Sequence, residues 1–124
     1  MEQVTHRARH IGVLQVGIIL LAAFTAGVHL YLSSEPDEDL RLWFLLNGLG
    51  YLGLVAALYL PQFAQFHHIV RLILIVYTAL TIVMWILMAD HSSLDPLDAV
   101  TKAAEIVLLV LLLIEERTQK RLRV

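Results

Sequence analysis

The amino-acid sequence predicts an all-α membrane protein, a four-helix transmembrane bundle with both termini in the cytoplasm. Three observations lead to this fold class: an apolar composition, four apolar runs of membrane-spanning length, and basic residues concentrated on one side of those runs. Of the 124 residues, 59% are hydrophobic and 16% are charged, against about 45–50% and about 25% in soluble domains. A chain of this size has too little interior to bury so much apolar surface, so lipid must cover the rest.

The first predicted span covers residues 11–32, an apolar run that follows Arg7 and Arg9. A secretion signal begins in the same way, but its apolar core is typically about 7–15 residues long and a small-residue cleavage site follows it. Because this run is longer and no such site follows, we interpret it as a retained helix. The acidic segment 33–39 then predicts a turn before the second span.

The remaining predicted spans cover residues 40–60, 69–89 and 96–114. Each is close to the roughly 20 residues that cross a bilayer core of about 30 Å. Pro61 ends the second run, and Asp95 with Pro96 suits the cap and first position of the fourth helix. Barrel strands would alternate in polarity, and this sequence does not. Residues 1–124 are therefore predicted to form a single four-helix domain.

Basic residues determine the predicted orientation because they cluster on one side of the four runs. With four spans, the following basic residues share a side: Arg7, Arg9, Arg71, Arg117, Lys120, Arg121 and Arg123. The positive-inside bias assigns that side to the cytoplasm, which predicts a multi-pass protein of the cell (plasma) membrane with both termini inside. Trp43 and Trp85 then fall near the outer interface, where amphipathic rings favour the headgroup level.

Composition also excludes several classes of function. The chain has no cysteine, which removes disulfides, thiolate metal sites, iron–sulfur clusters and thiol redox chemistry. The formal net charge is only -2 and no basic stripe with interleaved aromatics is present, so no nucleic-acid partner is expected. No nucleophile–base spacing, metal signature or phosphate-binding loop is found. The sequence therefore favours a protein without enzymatic activity, and it identifies no catalytic residue, metal ligand or cofactor.

The fourth predicted span carries the residues that call most strongly for an explanation. Asp98, Lys102 and Glu105 recur at i, i+4 and i+7 and so lie along one helix face. A charge at membrane depth costs about 2.5–3.5 kcal/mol. At 1.5 Å per residue, Lys102 lies about 9 Å inside the helix start and Glu105 about 14 Å, near the midplane. Lys102 can therefore reach outward to Asp98 or inward to Glu105.

The other three predicted spans offer polar residues that match this face. If the faces converge, a polar site forms in the outer half of the bundle from these residues: His29, Asn47, Thr81, Lys102 and Glu105. The structural alternative is that Lys102 and Glu105 neutralise each other and only fix the helix register, while Asn47 makes an ordinary interhelical hydrogen bond. His29 alone is expected to be a partly exposed side chain at headgroup level.

Structural roles are expected for the remaining small and polar residues. Small residues on the second span (Gly50, Gly53 and Ala57) and on the first (Ala23 and Gly27) are expected to let neighbouring helices approach closely. His67 and His68 are expected in a solvated loop, and residues 115–123 are expected to form a solvated helix end that anchors to anionic lipid. Because the predicted topology places His29 on the opposite side of the bilayer from this histidine pair, haem ligation between them is not expected.

Short segments of the sequence resemble two known families. Asp98, four residues before Lys102, looks like the last helix of microbial rhodopsins, which implies a retinal-binding lysine. Those proteins have seven spans and this chain has about four. A broader likeness to a family of small uncharacterised prokaryotic four-span proteins, haloarchaeal and bacterial, runs through residues 26–31, 44–50, 77–83 and 102–105. It implies the architecture and no activity.

Three functions follow as hypotheses. The leading one is a non-enzymatic, oligomeric membrane protein whose outward-facing polar site around Lys102 and Glu105 binds or conducts a small polar or ionic species, protons included. The alternative is a structural or accessory subunit of a larger membrane complex, in which the same residues lock helices together. A second alternative is a cofactor- or pigment-binding protein with His29 as base or ligand and Lys102 as a Schiff-base amine. The expected partners are the lipid bilayer and either copies of this chain or other membrane subunits.

Overall fold

The computed structural model describes residues 12–34, 41–88 and 96–123. Within these residues the secondary structure is entirely helical, as the sequence predicts. The elements are α1 (Val13–Ser33), α2 (Arg41–Tyr59), a short 3₁₀ helix (Pro61–Phe66), α3 (His67–Met88) and α4 (Pro96–Arg123).

The helix ends follow from local side-chain chemistry. The backbone N–H of Gly12 donates to Gln15 Oε1 (2.9 Å) at the start of α1. The hydroxyls of Ser33 and Ser34 donate to backbone carbonyls one turn earlier, each at 2.6 Å, where α1 ends. Pro61 has no N–H to continue α2 and begins the 3₁₀ helix instead. The cap expected from Asp95 and most of the acidic turn lie outside the described residues.

Length and composition make three of these helices able to cross a membrane, which fits a membrane protein. These segments are Val13–Ser33, Arg41–Tyr59 and Pro61–Met88, the last including the 3₁₀ helix. The fourth helix does not qualify by the same measure, because Asp98, Lys102 and Glu105 interrupt its apolar part and its last turns are charged. The expected fourth span and the orientation of the termini are therefore taken up below as proposals.

Each helix packs against two others, so the four helices enclose one interior. Helix α1 contacts α2 and α4, and α3 contacts the same two helices. The interior contains a layer of fully buried apolar side chains, which includes Ile18, Ala22, Leu58, Leu74, Leu108 and Leu112. The outward faces are apolar as well, as shown by the exposed side chains of Leu20, Leu46, Leu80 and Val107. An apolar exterior around a partly polar interior is the arrangement that suits lipid as the surrounding medium.

Glycines let the helices approach at two places on α2, and only one of them was expected. A Cβ on Gly48 would lie 2.8 Å from Leu30 Cγ and 3.0 Å from the Ala26 carbonyl oxygen, and one on Gly50 would collide with the Tyr77 hydroxyl. The expectations for Gly53 and Gly27 are wrong, because within the described part of the chain no atom of another helix lies within 4 Å of either Cβ position.

Candidate functional site

Glu105 is the centre of a buried polar group, which we call the Glu105 site. Its side chain is 0% exposed. Oε1 accepts a hydrogen bond from Lys102 Nζ at 2.7 Å, and Oε2 accepts one from the Thr25 hydroxyl of α1 at 2.6 Å. Lys102, one turn earlier on α4, is 9% exposed and its ammonium lies 5.8 Å from the centre of the Trp85 ring. The Lys102 side chain therefore extends inward to Glu105 and not outward to Asp98.

His29 also belongs to the Glu105 site, and it is buried. Its exposure is 6%, so the expectation of a partly exposed side chain at headgroup level is wrong. The reason is that α2 covers it: the rings of Phe44 and Tyr51 lie 5.9 Å and 6.2 Å from the imidazole. Nδ1 lies 2.7 Å from the Thr25 carbonyl oxygen, a contact that assigns the proton to Nδ1. The other ring nitrogen, Nε2, faces Glu105 Oε2 at a distance of 3.9 Å.

Asn47 and Thr81 form a separate hydrogen-bonded pair between α2 and α3. Asn47 Nδ2 donates to Thr81 Oγ1 at 3.0 Å, and the Thr81 hydroxyl donates to the Tyr77 carbonyl at 2.9 Å. The Tyr77 hydroxyl in turn donates to the Asn47 carbonyl at 2.8 Å. These two predicted site residues therefore bind each other rather than Lys102 or Glu105. Asp98 lies one turn before Lys102 on α4 and is partly buried.

Tyr51 lies between the two groups. It is fully buried, and its ring lies 4.9 Å from that of Tyr77 and 6.2 Å from the imidazole of His29. The site predicted from the sequence did not include Tyr51, Thr78 or Thr25. The available signal for Thr25 was its position one turn before His29 on the same face of α1.

A second buried polar group was not predicted, and we call it the Glu115 cluster. Glu115 and Arg71 are each 1% exposed, and Arg71 Nε donates to Glu115 Oε1 at 2.7 Å. Glu115 Oε2 accepts hydrogen bonds from Gln15 Nε2 at 3.0 Å and from the Tyr59 hydroxyl at 2.9 Å. The expectation that residues 115–123 are solvated is therefore wrong for Glu115. Helix α4 continues unbroken through this region, so Glu115 shares the inward face of the helix.

Glu116 and a histidine complete the Glu115 cluster. Glu116 Oε1 accepts hydrogen bonds from Arg71 Nη1 at 2.9 Å and lies 3.2 Å from His68 Nδ1. Partial burial raises the pKa of Glu116, but the hydrogen bonds from Arg71 and His68 outweigh it and hold that pKa below the ordinary value. His67 and His68 begin α3 instead of lying in a loop, and His67 is half-buried. Only the 45% exposure of the His68 side chain fits the solvated position expected for the pair.

Metal binding finds no support in the geometry. Across residues 12–34, 41–88 and 96–123, no three His, Asp or Glu side chains come close enough together to hold a metal ion. What the Glu105 site offers instead is a carboxylate, an ammonium and an imidazole, groups that can exchange protons or bind a small polar species.

Comparison with known proteins identifies a family but no activity. A family model described as a family of unknown function (DUF7475) matches residues 2–114. This match agrees with the resemblance to an uncharacterised family. No curated protein and no solved structure matches the chain.

Proposed function

The chain belongs to the DUF7475 family, whose function is unknown, and from its own geometry we propose that it is a non-enzymatic membrane protein that binds or conducts a small polar or ionic species at the Glu105 site. One observation carries this proposal. Glu105 has no exposed surface, and besides its two hydrogen-bond partners it faces an imidazole nitrogen at 3.9 Å. Ionisable groups at membrane depth are costly, and they are functional candidates for that reason.

The proposal includes a fourth span, so that all four helices cross the membrane. The charged residues that interrupt the apolar part of α4 point inward, because Lys102 and Glu105 are both buried. Its outward face is apolar in the exposed side chains of Val100, Ile106, Val107, Val110, Leu113 and Ile114. The average hydropathy and charge content of α4 include Lys102 and Glu105 although both point inward, whereas lipid contacts only the outward face. This contrast supports crossing by α4, with both termini in the cytoplasm as the basic residues predict.

A proton is the species that the Glu105 site is best suited to bind. His29 Nδ1 is committed to the Thr25 carbonyl, so Nε2 is the atom that gains or loses a proton, and it faces Glu105. A protonated imidazole there would be stabilised by the carboxylate, while the Lys102 ammonium would oppose it. The carboxylate and the ammonium have opposite effects on the proton affinity of the imidazole. A rotation of Lys102 toward the nearby membrane surface would therefore change that affinity.

Binding from the outer side is favoured over free conduction in this conformation. The Glu105 site and the Glu115 cluster are separated by the fully buried side chains of Ile18, Leu74, Leu108 and Leu112. An apolar layer of this kind excludes water and ions. Passage across the whole membrane would therefore require the helices to move apart.

The alternative function is that of a structural or accessory subunit, either in a homo-oligomer or in a larger membrane complex. The observation that favours it is that both oxygens of Glu105 already have hydrogen-bond donors, Lys102 and Thr25. A carboxylate whose two oxygens both accept hydrogen bonds from the protein needs no role other than holding α1 against α4. The apolar outward faces would then pack against lipid and neighbouring subunits.

Flux measurements in proteoliposomes distinguish these two functions. The native chain and Glu105→Gln are reconstituted, and proton flux is recorded while pH and membrane potential are varied. Glutamine keeps the shape of the side chain but cannot ionise, so we expect the variant to fold and to lose the flux. The matched control is Glu116→Gln, a partly buried glutamate at the other end of α4, which should retain it. Native flux at the level of empty liposomes would contradict transport and favour the accessory subunit.

Topology is tested separately with reporter fusions. One reporter is placed at Val124 and another within residues 33–39. With both termini cytoplasmic, the two fusions should report opposite sides of the membrane. The same side for both would contradict the odd number of spans between them, and an external carboxyl terminus would contradict the orientation.

A further inference from the structure

Three buried polar atoms next to the Glu105 site have no hydrogen-bond partner among the residues that the structure describes. They are Asn47 Oδ1, the Tyr51 hydroxyl and the Thr78 hydroxyl. Tyr51 and Thr78 are both 0% exposed. Nearly all buried polar groups in proteins bind either another protein group or an ordered water molecule. Three unpartnered atoms in one part of the interior therefore point to something that binds them.

These atoms belong to a single part of the interior, where α2 faces α3. Asn47 and Tyr51 lie one turn apart on α2, and Thr78 lies one turn before Thr81 on α3. The hydrogen bond from Asn47 to Thr81 joins these two faces, and the Tyr51 ring lies 4.9 Å from that of Tyr77, which also binds Asn47. Tyr51 also lies beside the Glu105 site, because its ring is 6.2 Å from the imidazole of His29, which faces Glu105 at 3.9 Å.

We propose that Asn47, Tyr51 and Thr78 form a second wall of the Glu105 site and bind an uncharged hydrogen-bonding molecule of the size of water. This inference rests on the proposed function: beside the groups that would exchange a proton, the site would hold a water molecule. The three groups are neutral: two hydroxyls can donate and accept, and one amide oxygen only accepts. A buried water molecule typically has two to four polar partners, which is the number on offer.

Charge and space both favour water over an ion or a larger ligand. Lys102 and Glu105 compensate each other at 2.7 Å, so a bare cation would meet an ammonium and a bare anion a carboxylate. Tyr51 and Thr78 have no exposed surface, so a guest larger than water would have to displace packed side chains. A water molecule held here would connect the hydroxyl of Tyr51 to the carboxylate of Glu105 and extend the proton-exchanging group from α1 and α4 to α2 and α3.

Deleting the two hydroxyls tests the proposal thermodynamically. Tyr51→Phe and Thr78→Val keep the side-chain shape and remove one polar group each. If these groups bind water, each variant should lower the melting temperature, because a made hydrogen bond is lost. If they are truly unpartnered, each variant should leave the melting temperature unchanged or raise it, which would overturn the proposal. Tyr77→Phe is the matched control, because its hydroxyl has a known partner at 2.8 Å, and it should lower the melting temperature in either case.

Infrared spectroscopy tests for the water itself. The full chain in lipid nanodiscs is exchanged from ordinary water into H₂¹⁸O, and the O–H stretching region is compared. A narrow band that shifts with the oxygen isotope is expected in the native chain and in Tyr77→Phe, and it should be lost in the Tyr51→Phe/Thr78→Val double variant. No shifting band in the native chain, or an unchanged band in the double variant, would overturn the proposal. The measurement needs no flux, so it fails or succeeds independently of the transport experiment.

Discussion

Glu105 and Glu115 are two buried glutamates on the inward face of α4, and they differ in the helices that supply their hydrogen-bond donors. Both are almost unexposed, and both accept hydrogen bonds from a cation and from a hydroxyl group. At 1.5 Å per residue they lie about 15 Å apart. The donors to Glu115 come from α1, α2 and α3, whereas those to Glu105 come from α1 and from α4 itself. The Glu115 cluster therefore ties all four helices together, and the Glu105 site ties only two.

The two cations reinforce this difference. Arg71 uses a planar guanidinium to bind both Glu115 and Glu116, a geometry that fixes three side chains at once. Lys102 contributes a single ammonium on a flexible stem, and it contacts a residue three positions away on its own helix. Moving Lys102 breaks no hydrogen bond between helices and only its contact with the Trp85 ring of α3, whereas moving Arg71 breaks two hydrogen bonds to α4. We infer that the Glu115 cluster stabilises the fold and that the Glu105 site is free to change state.

Removing Arg71 is expected to have the largest effect on folding. Arg71→Met leaves Glu115 buried without its cation, and losing one partner of a buried ion pair costs about 3–5 kcal/mol. Thermal unfolding in detergent should show a large fall in melting temperature or no folded protein. Arg117→Met, an exposed arginine on the same end of α4, is the control and should behave like the native chain. Equal stability of both variants would contradict a structural role for the cluster.

A double-mutant cycle at Lys102 and Glu105 should show a smaller effect. Lys102→Met or Glu105→Ala alone leaves one buried charge without its partner, whereas the variant with both changes leaves neither. We expect each single variant to be destabilised, by less than about 3 kcal/mol because the unpaired group can reach the nearby membrane surface or be neutralised. The double variant should recover much of the loss. A double variant no more stable than the worse single variant would show that the two residues are not a pair.

The contrast between the two groups also shows what the sequence could and could not predict. The pairing of Lys102 with Glu105 was open to prediction, because residues three apart on a helix always share a face. The burial of Arg71 and Glu115 was not, since Arg71 lies at the start of a predicted span and Glu115 just beyond the end of another, and a sequence does not show how such residues pack together. His29 was misplaced for the same reason: its position along α1 was right, but the cover provided by Phe44 on α2 depends on tertiary packing.

The helices themselves were easier to predict than their contacts. Apolar runs of membrane-spanning length gave all four helices, since that signal is local. The 3₁₀ helix after Pro61 was missed, because one turn of it differs little in sequence from a loop. Close approach was expected at Gly53 and occurs at Gly48. Small residues mark possible contacts, and only the rotation of α2 about its axis decides which of them face a neighbour.

A glycine on α2 allows the Glu105 site to be disturbed without touching the Glu115 cluster. Gly48→Ala would place a Cβ 3.0 Å from the Ala26 carbonyl oxygen of α1, one residue beyond Thr25. Overpacking costs about 1–3 kcal/mol, partly offset by up to about 1 kcal/mol of helix propensity. We expect a modest fall in melting temperature and reduced proton flux. Gly53→Ala, whose Cβ meets open space, is the control. Equal behaviour of the two variants would contradict close α1–α2 contact at Gly48.

The smallest expected effect concerns Glu116, which tests whether the second contact of Arg71 adds to the stability of the Glu115 cluster. Its pKa is held below the ordinary value by Arg71 and His68, so the ionised form is favoured by folding. That contribution is fully present above the ordinary glutamate pKa of about 4.3 and is lost as the pH falls through the lower pKa of the folded state. Because the side chain is partly exposed, the contribution is at most about 1 kcal/mol. Melting temperatures of the native chain and Glu116→Gln should therefore differ slightly at neutral pH and converge in acid, whereas a difference that stays constant with pH would show that the ion pair with Arg71 does not contribute.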